Sequence, residues 1–277
     1  MRFDQIGYWS ELKLEIVRKY AGAYSTILSR QQQPSFHHVY IDGFSGSGTH
    51  ISKSKGEAVQ GSPLIALEVE PPFREYFLVD LDGAKVDRLR KIVGQRSDVH
   101  IYEGDCNRVL VDQVFPQVQY KDYRRGLCLL DPYGLHLNWQ VIQMAGRLKT
   151  VDLFLNFPIM DMNRNALWTK KHRVMPENRV RMTSFWGDES WQEVAYQPPK
   201  QMGLFGQGAL EKQRNEVIAG AFRERLKIDA GFARVAEPLP MRNSQGAIVY
   251  YLFFASQKEV ADDIVRGIFQ KYRARAG

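Results

Sequence analysis

From Tyr8 to about Arg30, the apolar residues Trp9, Leu12, Ile16, Tyr20, Tyr24, Ile27 and Leu28 recur at the spacing of one helical face. The pattern predicts an amphipathic helix, which the run Gln31-Gln32-Gln33-Pro34-Ser35 breaks. Five short β-rich runs follow, at residues 37–42, 76–80, 98–102, 126–131 and 151–157. Each is apolar along most of its length, as parallel strands covered on both faces are. Segments of helical character separate them: SPLIALEVE, AKVDRLRKIVGQ, NRVLVDQVFPQV and NWQVIQMAGRLK. Strand and helix in alternation predict right-handed crossovers and a doubly wound α/β sheet.

The pattern changes after residue 157. Residues 158 to about 231 show no convincing strand; they hold a basic aromatic stretch, the Pro- and Gly-rich QPPKQMGLFGQG, and one helical segment, ALEKQRNEVIAGAFRERLK. FARVAEPLP and the strongly β run AIVYYLFFAS then flank the turn RNSQG, which reads as an antiparallel hairpin. A last helix is expected around DDIVRGIFQKYR. The organisation expected is an N-terminal helix over 1–36, a Rossmann-like domain over 37–157 and 232–277, and a helical insert over 158–231. The domain would carry five parallel strands and finish in the hairpin.

Composition narrows the class only a little. At 277 residues and 44% hydrophobic, the chain can bury a full core. No run reaches the roughly 18 to 20 apolar residues that a membrane helix needs. The first residues, MRFDQIGYWSELK, contain no apolar signal core, so a cytoplasmic protein is expected. Cys106 and Cys128 match no metal spacing and suggest no disulfide framework. A net charge of +7 and a pI near 9.3 mildly favour a polyanionic partner such as nucleic acid.

Candidate chemistry begins where the first strand ends, in YIDGFSGSGTH over residues 40–50. A phosphate-binding loop would require Gly-Lys-Ser/Thr, but Thr49 and His50 follow Gly48. A dinucleotide fingerprint would require a third glycine, but that position is Ile51. What remains is Asp-x-Phe-x-Gly-x-Gly, met by Asp42, Phe44, Gly46 and Gly48. Glycines let backbone approach a ligand closely, and a carboxylate can answer an ammonium group. S-adenosylmethionine is such a ligand, although the glycines could simply make a tight turn.

Three more acids lie at successive strand ends. Asp80 could accept both ribose hydroxyls, Asp105 an adenine amino hydrogen, and Asp131 ends the fourth strand in LLDPYG. Doubly wound folds bind ligands at that edge. Asp105 or Asp131 taken singly could instead be a helix cap.

This order of motifs resembles class I S-adenosylmethionine-dependent methyltransferases over about residues 37–157 and again at 232–256. The combination YIDGFSGSG, GSPLIAL, LLDPYG and FPIMDMNRN is more narrowly similar to the three-Cys-motif partner family, a bacterial methyltransferase-like group, over nearly the whole chain. GSPLIAL is also similar to a segment of bacterial enzymes that methylate an adenine amino group in ribosomal RNA. The resemblance implies a cofactor site at Asp42, Gly43, Phe44, Ser45, Gly46, Gly48, Asp80, Leu81, Asp105 and Cys106, and association with a separate three-cysteine protein. One departure is the spacing of 38 residues from Asp42 to Asp80, against about 20 in a compact unit. The excess is the polar HISKSKGEAVQG, expected as a flap over the cofactor or a disordered surface loop.

In amino-group methyltransferases an Asp or Asn with two prolines and an aromatic follows the fourth strand. The acid and a backbone carbonyl accept the hydrogens of the target amine, and the aromatic stacks on the base, so catalysis is largely positioning. Here the motif is Asp131-Pro132-Tyr133-Gly134, one proline short. Asp131 is the expected acceptor and Tyr133 the stacking platform; a plain strand-ending turn is the alternative. Asn156 is placed at the rim of the substrate pocket. Arg164, Trp168, Lys170, Lys171 and Arg173 offer a surface for phosphates and a base, or else a solvated helical face. Two functions compete: methyl transfer to a base amino group, and a catalytically weak binding module that works with a partner protein.

Overall fold

The computed structural model describes residues 4–198 and 211–276. In chain order, β1 (Gln5–Ile6) leads into α1 (Tyr8–Arg30) and β2 (His37–Asp42). A hairpin of β3 (Thr49–Ser52) and β4 (Ala58–Gln60) precedes α2 (Ser62–Leu67), β5 (Glu75–Asp80), α3 (Gly83–Val93) and β6 (Val99–Glu103). Next come α4 (Cys106–Val109), β7 (Arg124–Leu130), α5 (Trp139–Leu148) and β8 (Val151–Phe157). The following segment holds α6 (Ile159–Asn165), α7 (Pro176–Trp186), α8 (Trp191–Ala195), the short pair β9 (Tyr196–Gln197) and β10 (Glu211–Lys212), and α9 (Asn215–Ile228). Last are β11 (Arg234–Val235), β12 (Leu239–Arg242), β13 (Ile248–Ser256) and α10 (Glu259–Ala276).

The five expected parallel strands stand side by side as β6-β5-β2-β7-β8, and antiparallel β13 joins β8. This is the Rossmann-like sheet that the alternating pattern predicts. The strand running from residue 232 is split by the turn around Glu237 into β11 and β12, and both pair with β13. Strand order reverses between β2 and β7, so the loops after these two strands diverge and leave a crevice. Both strands end their pairing level, Asp42 opposite Leu129.

Each face of the sheet is covered. On one, α1 and α10 pack Tyr20, Val265 and Phe269 against Phe154 and Phe254. On the other, α5, α7 and α9 share a cluster with β7, β8 and β13. Its centre is Phe222 of α9, whose ring lies 4.6 Å from Phe157, 5.4 Å from Trp186 and 5.6 Å from Phe253. The helices α7 and α9 therefore pack into the sheet's own core. Phe222→Ala is expected to lose about 3–5 kcal/mol of stability, read by denaturant unfolding.

Three segments differ from their sequence expectation. The helix expected over 107–118 is broken into α4, a π turn at Leu110–Val114 and a 3-10 turn at Phe115–Gln117; Pro116 lacks the N–H that a continuous helix would use. HISKSKGEAVQG forms most of the β3–β4 hairpin, and β3 pairs in parallel with β1, Gln5 opposite Ile51. The segment after residue 157 holds several helices and the pair β9–β10 rather than one helix. QPPKQMGLFGQG lies outside the described residues from position 199 onward. No described helix is long and apolar enough to cross a membrane.

Candidate cofactor and acceptor cleft

A cleft of about 390 Å³ opens at the C-terminal ends of β2, β5, β7 and β8, where strand order reverses. The glycine turn after β2 forms one wall. Gly46 and Gly48 have φ of +61° and +80°, a region that side chains rarely enter. A Cβ on Gly48 would also stand 2.9 Å from a Leu89 methyl. The turn is stitched to both neighbouring strands, through Gly43 N–H donating to Leu129 O (3.0 Å) and Ser45 N–H to Val79 O (2.9 Å). Asp80 completes it, accepting from Gly46 N–H (2.7 Å) and Asp82 N–H (2.9 Å) while lining the cleft. Leu81, next in the chain, is held 74% exposed, an apolar side chain free to cover a flat ring.

Asp42 is wholly enclosed rather than open to the cleft. Its carboxylate accepts from Phe44 N–H (3.1 Å) and Tyr40 Oη (3.3 Å), bracing the turn from behind. Burial pushes its pKa up to about 6. A raised carboxyl binds protons more tightly in the folded state, so Asp42 stabilises the fold least once pH exceeds 6. Its ionisation costs roughly 3 kcal/mol at neutral pH. Asp42→Asn is expected to be more stable than the wild type at pH 7 and equal to it near pH 3.5, with the difference growing between pH 4 and 6. Urea unfolding across that range checks it.

Asp105 caps α4, accepting from the Asn107 N–H (3.0 Å) and side-chain amide (2.9 Å), and does not line the cleft. Cys106 is buried beside it, and burial pushes its thiol up to about 12, so it is inert as a nucleophile.

The opposite wall is Asp131-Pro132-Tyr133 after β7 and Asn156 near the end of β8. Asn156 Nδ2 donates to Asp131 Oδ1 (2.8 Å), and Lys13 of α1 forms an ion pair with Asp131 Oδ2. Both carboxylate oxygens are thereby fixed. Asn156 Oδ1 is buried without a partner among the described residues. Tyr133 is 77% exposed; its Oη donates to Asp4 (3.3 Å), and Asp4 also takes Lys85 Nζ at 2.6 Å. Gly134 leaves room for Asp161, whose Oδ2 would be 2.8 Å from a Cβ there and which accepts from Leu135 N–H (3.3 Å).

Of the surface expected from the insert, Arg164 lines the cleft and Trp168 sits beside it, donating its indole N–H to Arg164 O (2.6 Å). Lys170, Lys171 and Arg173 lie outside it. Lys171 packs over the Tyr196 ring at 4.0 Å, and Arg173 borders a separate hollow with Met175 and Arg179. Sequence reasoning missed Asp4, Lys13, His50 and Lys53, all in the cleft wall. Lys13 had a signal, a lone cation between Trp9 and Ile16 on the apolar face of α1. The other three had none, since β1, β3 and β4 pair through backbone without an apolar run. Burial, aided by the Lys13 charge, holds the His50 imidazole below its usual range and hence neutral at pH 7. Among the described residues no cluster could hold a metal ion.

No protein-family model and no curated protein matches the chain. Among solved structures it is similar to protein LPL1258 from Legionella pneumophila, with a TM-score of 0.53 and 10% identity over 95% of this chain and 92% of that one. A candidate S-adenosylmethionine-dependent methyltransferase from Listeria monocytogenes matches at TM-score 0.42 and 10% identity, over 87% of this chain and 99% of that one. The CMeT domain of the citrinin polyketide synthase matches at TM-score 0.42 and 14% identity, over 88% of this chain and 52% of that one. Likeness at these identities concerns the fold, and the chain has a Rossmann-like α/β fold.

Proposed function

We propose that the chain binds S-adenosylmethionine on the glycine turn and transfers its methyl group to an amino group of a nucleic-acid base. One observation carries this reading: the Asp80-clamped turn and Asp131-Pro132-Tyr133 face a single cleft at the reversal of strand order. The turn fits the cofactor. Gly46 brings its backbone to the cleft wall in a conformation that side chains rarely adopt, Asp80 offers a carboxylate to ribose hydroxyls, and Leu81 can lie against adenine. The cofactor supplies an activated methyl group whose sulfur leaves as a neutral thioether.

The chain supplies position. Asp131 accepts one hydrogen of the amine, which turns the nitrogen lone pair toward the methyl carbon. Tyr133 stacks on the base. Lys13 and Asn156 hold the Asp131 carboxylate in one orientation, and Lys13 balances its charge. The nitrogen–carbon bond forms as the carbon–sulfur bond breaks, and the methylated amine then loses its extra proton to water. Such an enzyme acts in the cytoplasm.

A second reading is favoured by the same pair. Lys13 occupies an Asp131 oxygen that the amine would use, as in a catalytically weak module that serves a partner. The resemblance to the three-Cys-motif partner family gives that partner its chemistry, a protein with a three-cysteine motif. Two measurements separate the readings: calorimetric titration with S-adenosylhomocysteine, and transfer of labelled methyl from S-adenosylmethionine to RNA and DNA. Cofactor binding with transfer supports the enzyme. Binding without transfer to either nucleic acid supports the module, and absence of binding rejects both.

A further inference from the structure

The charges in the cleft are unevenly matched. Each lining carboxylate already has its own partner: Asp4 has Lys85, Asp131 has Lys13, Asp161 has Leu135 N–H and Asn165, and Asp80 has two backbone N–H groups. Lys53 and Arg164 line the same cleft and form no ion pair among the described residues. S-adenosylmethionine, with one carboxylate against an ammonium and a sulfonium, brings a further net positive charge. Lys53 and Arg164, which pair with no described carboxylate, are left open to an anion brought by the methyl acceptor.

Two aromatic faces stand beside these cations. Tyr133 is 77% exposed on one wall, and Trp168, 39% exposed, lies just past the end of α6 and is fastened to the Arg164 carbonyl. An exposed cation between exposed rings is how proteins hold an unpaired strand, phosphate on the cation and base on the ring. Tyr133 lies inside the cleft wall, and a base reaches it only once it has left its stack.

We propose that the acceptor is single-stranded nucleic acid, its target base on Tyr133, its backbone phosphates at Arg164 and Lys53, and a neighbouring base on Trp168. This rests on the methyltransferase reading for the role of Tyr133, but strand binding is tested independently of it. The probe is a fluorescent 12-nucleotide single strand, as RNA and as DNA, measured by anisotropy against the same sequence in duplex form. The wild type is compared with Arg164→Gln, Lys53→Gln, Trp168→Ala and, as a distant surface control, Arg147→Gln.

The single strand is expected to bind at least tenfold more tightly than the duplex. Trp168→Ala weakens it by roughly tenfold, and Arg164→Gln and Lys53→Gln each lower the salt dependence by about one phosphate contact, a slope near 0.7. Arg147→Gln changes neither. The tighter of RNA and DNA identifies the natural strand. Equal duplex binding, or unchanged affinity in Arg164→Gln and Trp168→Ala with intact thermal unfolding, overturns the proposal. Loss of S-adenosylhomocysteine affinity in Lys53→Gln or Arg164→Gln also overturns it, by assigning that cation to the cofactor carboxylate. If the wild type binds the strand but not S-adenosylhomocysteine, the cofactor reading fails and this one stands.

Discussion

Asp131→Ala is expected to lower methyl transfer on the order of 100-fold or more, because the amine loses the acceptor that aims its lone pair. Stability falls too. Lys13, only 5% exposed in its side chain, would be left without its counter-charge. Breaking a buried pair from one side costs about 3 kcal/mol or more, since the surviving charge remains desolvated. A double variant separates the two effects. Lys13→Met with Asp131→Leu removes both charges and the acceptor oxygen together, and is expected to recover most of the stability while transfer stays low. Thermal unfolding and single-turnover transfer of labelled methyl read them separately. If transfer recovers with stability, Asp131 serves only as a structural partner of Lys13. If Lys13→Met alone raises transfer, the lysine obstructs the amine, and the partner-dependent reading gains.

Asp80→Ala is expected to weaken S-adenosylhomocysteine on the order of 100-fold. Two losses combine: the ribose hydroxyls lose a charged acceptor, and Gly46 N–H loses the partner that fixes the turn. Hydrogen bonds to a charged group contribute about 1.5–3 kcal/mol each. Asp105→Ala is expected to act mainly on stability, by about 1 kcal/mol, as the loss of a helix cap does. Calorimetry on both variants checks the contrast. A larger affinity loss at Asp105 than at Asp80 would place adenine at the α4 cap instead.

Much of the fold was legible because its signals are local. Strands 37–42, 126–131 and 151–157 are apolar along most of their length with acids or prolines at their ends, and only a doubly covered sheet accommodates several of them. The glycine turn was legible for the same reason, since positive φ at Gly46 and Gly48 selects glycine whatever surrounds it. What escaped depends on distant pairing. The β3–β4 hairpin is polar and short, and its register is set by Gln5 and Ile6, more than forty residues earlier. Asp42 and Asp105 were recognisable as strand-end acids. Asp42 is turned inward behind its loop, which leaves no mark in the sequence, whereas Asp105 caps a helix, the alternative that its position offered. Lys13 was visible as an anomaly on an apolar face, but its partner lies 118 residues away.

The shared packing of Phe222 with Phe157 has a consequence for genetics. Asn156, which grips Asp131, is the residue just before Phe157, and Arg164 lies a few residues beyond it on α6. The wall that receives the acceptor is thus anchored in the same aromatic cluster as the sheet, with no hinge of small residues between them. A saturation mutagenesis screen for methyl transfer would accordingly recover inactive alleles at Phe185, Trp186, Phe222 and Phe253, none of which lines the cleft. Their defects would follow temperature, where those at Asp131 or Asp80 would not. For the same reason α7 and α9 could not be grafted onto another sheet to move its specificity, because the graft would bring half a core with it.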